Sequence, residues 1–370
     1  MTARVGALSA NLPSSRVGDV SPGHVSMQIR DGIVEAIGNT PLIKLQRVSE
    51  QTGCTILGKA EFMNPGQSVK DRAGREMILQ AEKRGEIRRG GLVVESTAGN
   101  TGIGLALVAN ARGYRTLIVI PETQSQEKKD MLRLYGAELV EVPAVPYSNP
   151  NNYQHVGRRL ADELRKSEPN GVIFADQWNN LDNRRAHYVS TGPEIWQQTD
   201  GKVDAFVSTV GTGGTLAGTS TFLREMKKDI VIACADPRGA AMYNLFAHGE
   251  AKPSEGGSIT EGIGLGRVTP IIEDIKCEKA YLTPDEEAIP YIFDLLEHEG
   301  LCLGGSSAIN IAGAVRLARD LGPGKVIVTL LCDSGTRYQS KLYNPDFLRS
   351  KNLPVPDWLQ RKSTVKPPFV

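Results

Sequence analysis

Asp204-Ala205-Phe206-Val207-Ser208-Thr209-Val210 runs directly into Gly211-Thr212-Gly213-Gly214-Thr215 and then Leu216. The first seven residues predict a strand whose apolar residues do not alternate cleanly with polar ones, so both of its faces are covered. Leu216, Leu223 and Met226 fall on one face of the next helix. Strand, glycine-rich turn and helix make one βα unit. Glycines let backbone N–H groups converge on one point, and a helix N-terminus adds positive potential there, so a phosphate is the natural ligand. The turn is not a Walker A loop, because no Gly-Lys-Ser/Thr comes after it. It also misses the dinucleotide fingerprint, because Leu216 stands where the third glycine belongs. A glycine-rich turn is equally at home as pure structure, so its chemistry needs support from elsewhere in the chain.

Outward from this unit the pattern repeats. Residues 92–95, 116–120, 138–142, 172–175, 231–235 and 325–331 also predict strands, with helices over 104–112 and 128–134 between them. Leu160 and Leu164 share another helix face. Val- and Ile-rich strands separated by helical periods predict an α/β chain with mostly parallel sheets wrapped by helices. The 370 residues exceed one average domain, and 40% apolar against 23% charged residues supply a sizeable core. Forty-three Lys and Arg balance 42 Asp and Glu to a net charge of +1, which argues against a nucleic-acid or anionic-membrane binder. No apolar run approaches the ~18 residues of a spanning helix. Cys54, Cys234, Cys277, Cys302 and Cys332 show no CxxC spacing, so reduced thiols are expected, not a disulfide framework. The five histidines show no ligand spacing, and no metal site is expected.

Two further loops carry polar chemistry. Ser96-Thr97-Ala98-Gly99-Asn100-Thr101-Gly102 lies at a strand-to-helix junction, where hydroxyls, an amide and free N–H groups suit a carboxylate. A cluster of helix caps reads the same way. In Asn64-Pro65-Gly66-Gln67-Ser68-Val69-Lys70-Asp71-Arg72, Ser68 can cap the next helix while Lys70 sits at its start. The helix dipole disfavours a cation there, so Lys70 is either an ordinary surface residue or one serving chemistry.

Taken together, these segments resemble the β-family of pyridoxal-phosphate enzymes, which includes the cysteine synthases and cystathionine β-synthases. Asn64–Arg72 looks like the family's cofactor-lysine motif, Ser96–Gly102 its substrate-carboxylate loop and Gly211–Thr215 its phosphate loop. Glu261-Gly262-Ile263-Gly264 and Gly304-Gly305-Ser306-Ser307 match two more segments in the right order, and Gly38-Asn39-Thr40-Pro41-Leu42 is a typical entry. The resemblance spans roughly residues 30–345. It implies that Lys70 forms the Schiff base with pyridoxal 5'-phosphate and then acts as base and acid at the substrate's α-carbon. It also implies that Asn100 bonds the ring hydroxyl oxygen and that Gly211, Thr212, Gly213, Gly214 and Thr215 hold the phosphate. Ser306 would meet the pyridine nitrogen without keeping it protonated, which favours β-elimination over transamination. Thr97, Ala98, Gly99, Thr101 and Gln177, with Gly262 and Ile263, match the substrate-binding positions.

Within that family the chain is most similar to the cysteine synthase and β-cyanoalanine synthase group. Leu265 stands where animal cystathionine β-synthases usually carry an aromatic residue, and a small apolar neighbour suits sulfide better than homocysteine. Threonine deaminases and tryptophan synthases differ in the lysine and loop motifs. The implied reaction is O-acetylserine plus sulfide to L-cysteine plus acetate. L-Cysteine plus cyanide to β-cyanoalanine plus sulfide is the alternative, and a cystathionine β-synthase or a silent metabolite sensor stands further off. Ala98 departs from the Thr-Ser-Gly-Asn common in cysteine synthases, which bears on acceptor preference. The implied architecture is a two-domain fold of the tryptophan synthase β type. Its smaller mobile α/β domain would span 65–175 and its larger one 40–64 plus 176–349, between a flexible extension over 1–30 and a tail over 350–370. A homodimer is expected. A cytoplasmic location is expected too, or a mitochondrial one if the Arg- and Ser-bearing residues 1–26 act as a transit peptide.

Overall fold

The computed structural model describes residues 29–97 and 99–364. Among the described residues, the unit that begins at Gly32 holds ten strands. They are β1 (Leu42–Lys44), β2 (Thr55–Ala60), β3 (Leu92–Ser96), β4 (Arg115–Pro121), β5 (Ala137–Val142), β6 (Val172–Phe174), β7 (Ala205–Ser208), β8 (Val231–Asp236), β9 (Lys279–Leu282) and β10 (Val326–Leu331). One six-stranded sheet has the order β1-β2-β10-β7-β8-β9, and one four-stranded sheet the order β5-β4-β3-β6. The β1–β2 pair is antiparallel, and the other pairs of described strands run parallel.

Helices cover both faces of each sheet, as the Val- and Ile-rich strands require. Every residue of β3 and of β7 is buried. Along β7, Val207 packs under helix Gly305–Leu321 with Ile311 and Val315, while Phe206 packs on the opposite side with Leu216 and Leu223 of helix Gly214–Met226. In the smaller sheet Val93 meets Met77 and Leu105, whereas Leu92 and Val94 meet Ala161 and Leu164 of helix Tyr153–Leu164.

The differences from expectation have local causes. Met226 ends its helix and is 47% exposed, so of the three residues expected on its apolar face only Leu216 and Leu223 are buried. The predicted loop 97–102 is shorter, since its helix already begins at Asn100. β7 stops at Ser208, because Thr209 turns aside and its N–H donates to Asn310 Oδ1 at 2.6 Å. β1, β2 and β9 are additional strands: β1 is three residues long, β9 lies at a sheet edge and β2 contains Lys59. Lys59 is wholly buried, where it donates to the Thr40 carbonyl and pairs with Glu194 at 2.6 Å. Past Asn352, Leu353, Val355, Trp358 and Leu359 pack onto the core. The candidate transit segment 1–26, Ala98 and residues 365–370 lie outside the described residues. Among the described residues all five cysteines are free, and no helix is long and apolar enough to cross a membrane.

Candidate active site

The C-terminal ends of β3, β6, β7 and β10 open onto one cavity of about 720 Å³. Ligands in parallel α/β sheets bind at this end of the strands, because loops and helix N-termini gather there. Lys70, Asn100, Thr97, Gly99, Thr101, Gln177, Gly211, Thr212, Gly213, Thr215, Gly262, Ile263 and Ser306 all line it. Of the residues singled out from sequence, Gly214 is absent from the lining, and Ala98 lies outside the described residues.

Lys70 is the first residue of helix Lys70–Lys83; Val69, not Ser68, holds the N-cap position, though the Lys70 N–H donates to Ser68 Oγ at 3.3 Å. A buried ion cluster pins this first turn. Arg72 donates from Nε to Glu61 Oε2 at 2.6 Å and from Nη1 to Glu194 Oε1 at 2.6 Å. The Lys70 amine has no hydrogen-bond partner among the described residues. Burial pushes its pKa down, against the opposing pull of Cys332 and Asp333. The amine is partly open to the cavity while protein surrounds the rest of it, so it is held toward its neutral, nucleophilic form.

Opposite the lysine, Thr97 Oγ1 accepts from Gly99 N at 3.3 Å and keeps its own proton free. Thr101 spends its proton on Gln177 Oε1 at 2.6 Å, and the Gln177 side chain itself donates toward the Glu95 carboxyl. Below them Glu95 accepts from Gln177 N at 3.2 Å, and burial lifts its pKa to about 8. Free donors at the N-terminus of helix Asn100–Arg112 make this corner fit for a carboxylate.

The glycine-rich loop lies at the N-terminus of helix Gly214–Met226, with Gly213 at φ +96°. No backbone N–H from Gly211 to Gly213 finds an acceptor among the described residues. A Cβ on Gly211 would collide with the Gly262 carbonyl, so glycine is required for the 262–264 segment to close over the loop. Gly214 also serves packing: a Cβ there would strike Asn183 Oδ1, so it allows a neighbouring helix to approach from behind. Thr209 Oγ1, at the rim, is buried and without a partner among the described residues. Several unmet donors around one point suit a multiply charged oxyanion.

Sequence reasoning did not single out the stretch after β10. Cys332, Asp333, Arg337 and Tyr338 also line the cavity. Asn100 Nδ2 donates to Asp333 Oδ2 at 2.7 Å, and Arg337 donates to Asn100 Oδ1. Tyr338 donates to Asp333 at 2.5 Å. Burial pushes the Asp333 carboxyl up, opposed by Tyr338, Asn100 and nearby cations. The available signal was position, since Cys332-Asp333 comes directly after a predicted parallel strand. At the mouth, Glu261 pairs with Lys128 and with Lys341, the latter at 2.6 Å. Burial would raise the Glu261 pKa, but the two lysines outweigh it and hold the carboxyl low.

Comparison with known proteins agrees with this geometry. The chain is 48% identical over 364 residues to cysteine synthase 1 of Neurospora crassa, covering 97% of this chain and 95% of that protein. It is 45% identical over 340 residues to the cysteine synthase of Dictyostelium discoideum, covering 89% and 88%. The crystal structure of an O-acetylserine dependent cystathionine β-synthase from Helicobacter pylori superposes with a TM-score of 0.74 at 32% identity, over 85% of this chain and 99% of that one. Residues 33–333 match the family described as pyridoxal-phosphate dependent enzyme, and the chain belongs to that family.

Proposed function

We propose that the protein is a cysteine synthase, which replaces the acetyl ester of O-acetyl-L-serine with sulfide to give L-cysteine and acetate. The observation that carries this is the convergence of Lys70, the unmet N–H groups of Gly211 to Gly213 and Ser306 on one cavity, in a chain nearly half identical to a cysteine synthase along its length. The cavity fits pyridoxal 5'-phosphate: it holds an unpartnered lysine for an aldehyde, open donors for a phosphate and a hydroxyl for a ring nitrogen. When bound, the cofactor supplies a carbonyl carbon for amines and a ring that withdraws electrons from the substrate's α-carbon.

The chain's own residues would do the rest. Lys70, biased to its neutral form, accepts the proton from the α-carbon and can return it after the nucleophile has added. Thr97 Oγ and the N-terminal N–H groups of helix Asn100–Arg112 would be the donors that hold the substrate carboxylate, with Thr101 and Gln177 bonded to each other beside them. The Ser306 hydroxyl, unlike a carboxylate, would donate to a ring nitrogen without holding a proton on it. Asp333 and Arg337 keep the Asn100 amide turned into the cavity. The Glu261–Lys128 pair ties the helix Gln126–Leu134 to the 261–264 segment at the mouth, with Lys341 also on Glu261, and that link would help close the site to water once substrate is bound. That helix belongs to the part around the four-stranded sheet, which we take as the mobile smaller domain over residues 65–175. The remainder, 40–64 plus 176–349, would be the fixed one.

Steady-state assay of the pure protein with O-acetylserine plus sulfide, beside L-cysteine plus cyanide, tests the proposal. Turnover dominated by cyanide would make it a β-cyanoalanine synthase instead, and no turnover with either pair would remove both activities. We further propose a cytoplasmic homodimer. Exposed Leu181, Val189 and Met226 provide apolar surface for association, and light scattering with cell fractionation checks both points.

A further inference from the structure

The segment behind the glycine-rich loop carries an inference that rests on that loop holding the cofactor's phosphate. Leu181–Ala186 is α-helical, and His187–Thr191 widens into one π-helical turn, a feature that recurs at functional sites. Two glycines, four residues apart on helix Gly214–Met226, let this segment come close. A Cβ on Gly214 would strike Asn183, and one on Gly218 would lie 2.8 Å from His187 Cβ. Asn183 and His187 are themselves four residues apart, so both face the loop. Asn183 Nδ2 donates to Thr212 Oγ1 at 2.8 Å. His187 Nε2 lies 3.3 Å from Thr215 Oγ1, and its Nδ1 lies 2.9 Å from Thr191 Oγ1. Both side chains are buried.

A threonine hydroxyl has one proton to give. Asn183 already donates to Thr212, so the Thr212 proton is free to point into the cavity. At Thr215 two polarities are sterically equivalent. In one, His187 Nε2–H donates to Thr215 and Nδ1 accepts from Thr191. In the other, Thr215 gives its proton to the ring and shows only lone pairs to the loop. A phosphate accepts hydrogen bonds and repels lone pairs, so only the first polarity is compatible with it. The ring is neutral, because burial, with Arg72 and Lys70 nearby, holds its pKa well below 6.5. It therefore has one N–H donor and one acceptor.

We propose that His187 is a positioning residue for the cofactor phosphate: as its Nε2–H tautomer, receiving from Thr191, it aims the Thr215 hydroxyl proton into the loop, as Asn183 does for Thr212. Nitrogen NMR of the ¹⁵N-histidine-labelled holoenzyme reads the tautomer directly, and the signal missing from His187→Gln assigns it. The expected result is protonated Nε2 with unprotonated Nδ1. In parallel, His187→Leu should weaken binding of pyridoxal phosphate to the cofactor-stripped full chain about tenfold while leaving pyridoxal, which lacks the phosphate, unchanged. His187→Gln keeps a donor at the same reach and should restore the affinity. An Nδ1–H ring or an imidazolium in the holoenzyme overturns the proposal, as does an equal loss for both ligands. Thr212→Ala and Thr215→Ala separate the underlying reading: if both retain pyridoxal phosphate like wild type, the phosphate is not at this loop and the relay falls with it.

Discussion

Arg72→Met should be among the most destabilising single changes in this protein, and its pH dependence can be worked out in advance. The Arg72 side chain is 2% exposed and makes paired hydrogen bonds to Glu61 and to Glu194, with further bonds to Thr40 and Ser190. Methionine fills similar space but leaves the buried Glu61 and the largely buried Glu194 with Lys59 as their remaining ion-pair partner among the described residues, 2.6 Å from Glu194. Removing one member of a buried pair costs about 3–5 kcal/mol, because the abandoned charge stays desolvated. A second route gives a similar size. Burial alone would raise the Glu194 pKa, but Arg72 and Lys59 together outweigh it and hold it at about 2 instead of 4.5, so the shift bounds the Arg72 share from above. At ~1.4 kcal/mol per pH unit that difference corresponds to about 3 kcal/mol. The sign comes from the lowered value: the stabilisation is complete above pH 4.5 and drains away as pH falls toward 2. Urea melts at pH 7.5 should therefore show the full deficit in Arg72→Met. Melts stepped downward from pH 4.5 should show the two proteins converging. Arg72→Lys should fall between them, since it keeps the charge but loses the paired geometry. A deficit below about 1 kcal/mol at pH 7.5, or one that grows on acidification, would refute the reasoning.

Three further outcomes concern the chemistry. Lys70→Ala should abolish turnover and leave no cofactor covalently attached after borohydride reduction, read by mass spectrometry; reducible attachment persisting in the variant would place the linkage on another lysine. Ser306→Asp should hold a proton on the ring nitrogen and raise transamination relative to β-replacement, and unchanged product partitioning in a variant that still binds cofactor would count against the role of Ser306. Thr97→Ala should cut kcat/KM for O-acetylserine by about tenfold, the cost of one hydrogen bond to a carboxylate, with cofactor affinity unaltered; a variant whose rapid-mixing traces match wild type would take this hydroxyl out of the mechanism.

Much of the site was legible because its chemistry is local. A glycine-rich turn between a strand and a helix, a lysine against the dipole at a helix start and a hydroxyl-rich helix entrance are each properties of fewer than ten consecutive residues. Gly214 shows where locality ends. In sequence it belongs with the phosphate loop, while in space its missing side chain also admits Asn183, which the loop's own residues do not foretell. Asp333 and Arg337 were overlooked for the converse reason. Nothing near them in sequence marks them as functional, and their partner Asn100 is more than two hundred residues distant.

The sequence by itself determined the α/β class, the run of parallel strands and the order of the chemical segments. Apolar runs, helical periods and turn residues are short-range signals, and parallel strands need both faces covered whichever neighbours they choose. Only the tertiary structure decided which strands pair and that there are two sheets. It also decided that Lys59 and Arg72 are interior ions, and that Thr101 donates to Gln177. Those outcomes depend on which distant groups share a desolvated space. Met226 and Leu223 sit on the same helical stripe, yet one is 47% exposed and the other fully buried, because the core ends between them. A periodic pattern states which face of a helix is apolar; how far along that face the neighbouring layer extends is settled by the packing.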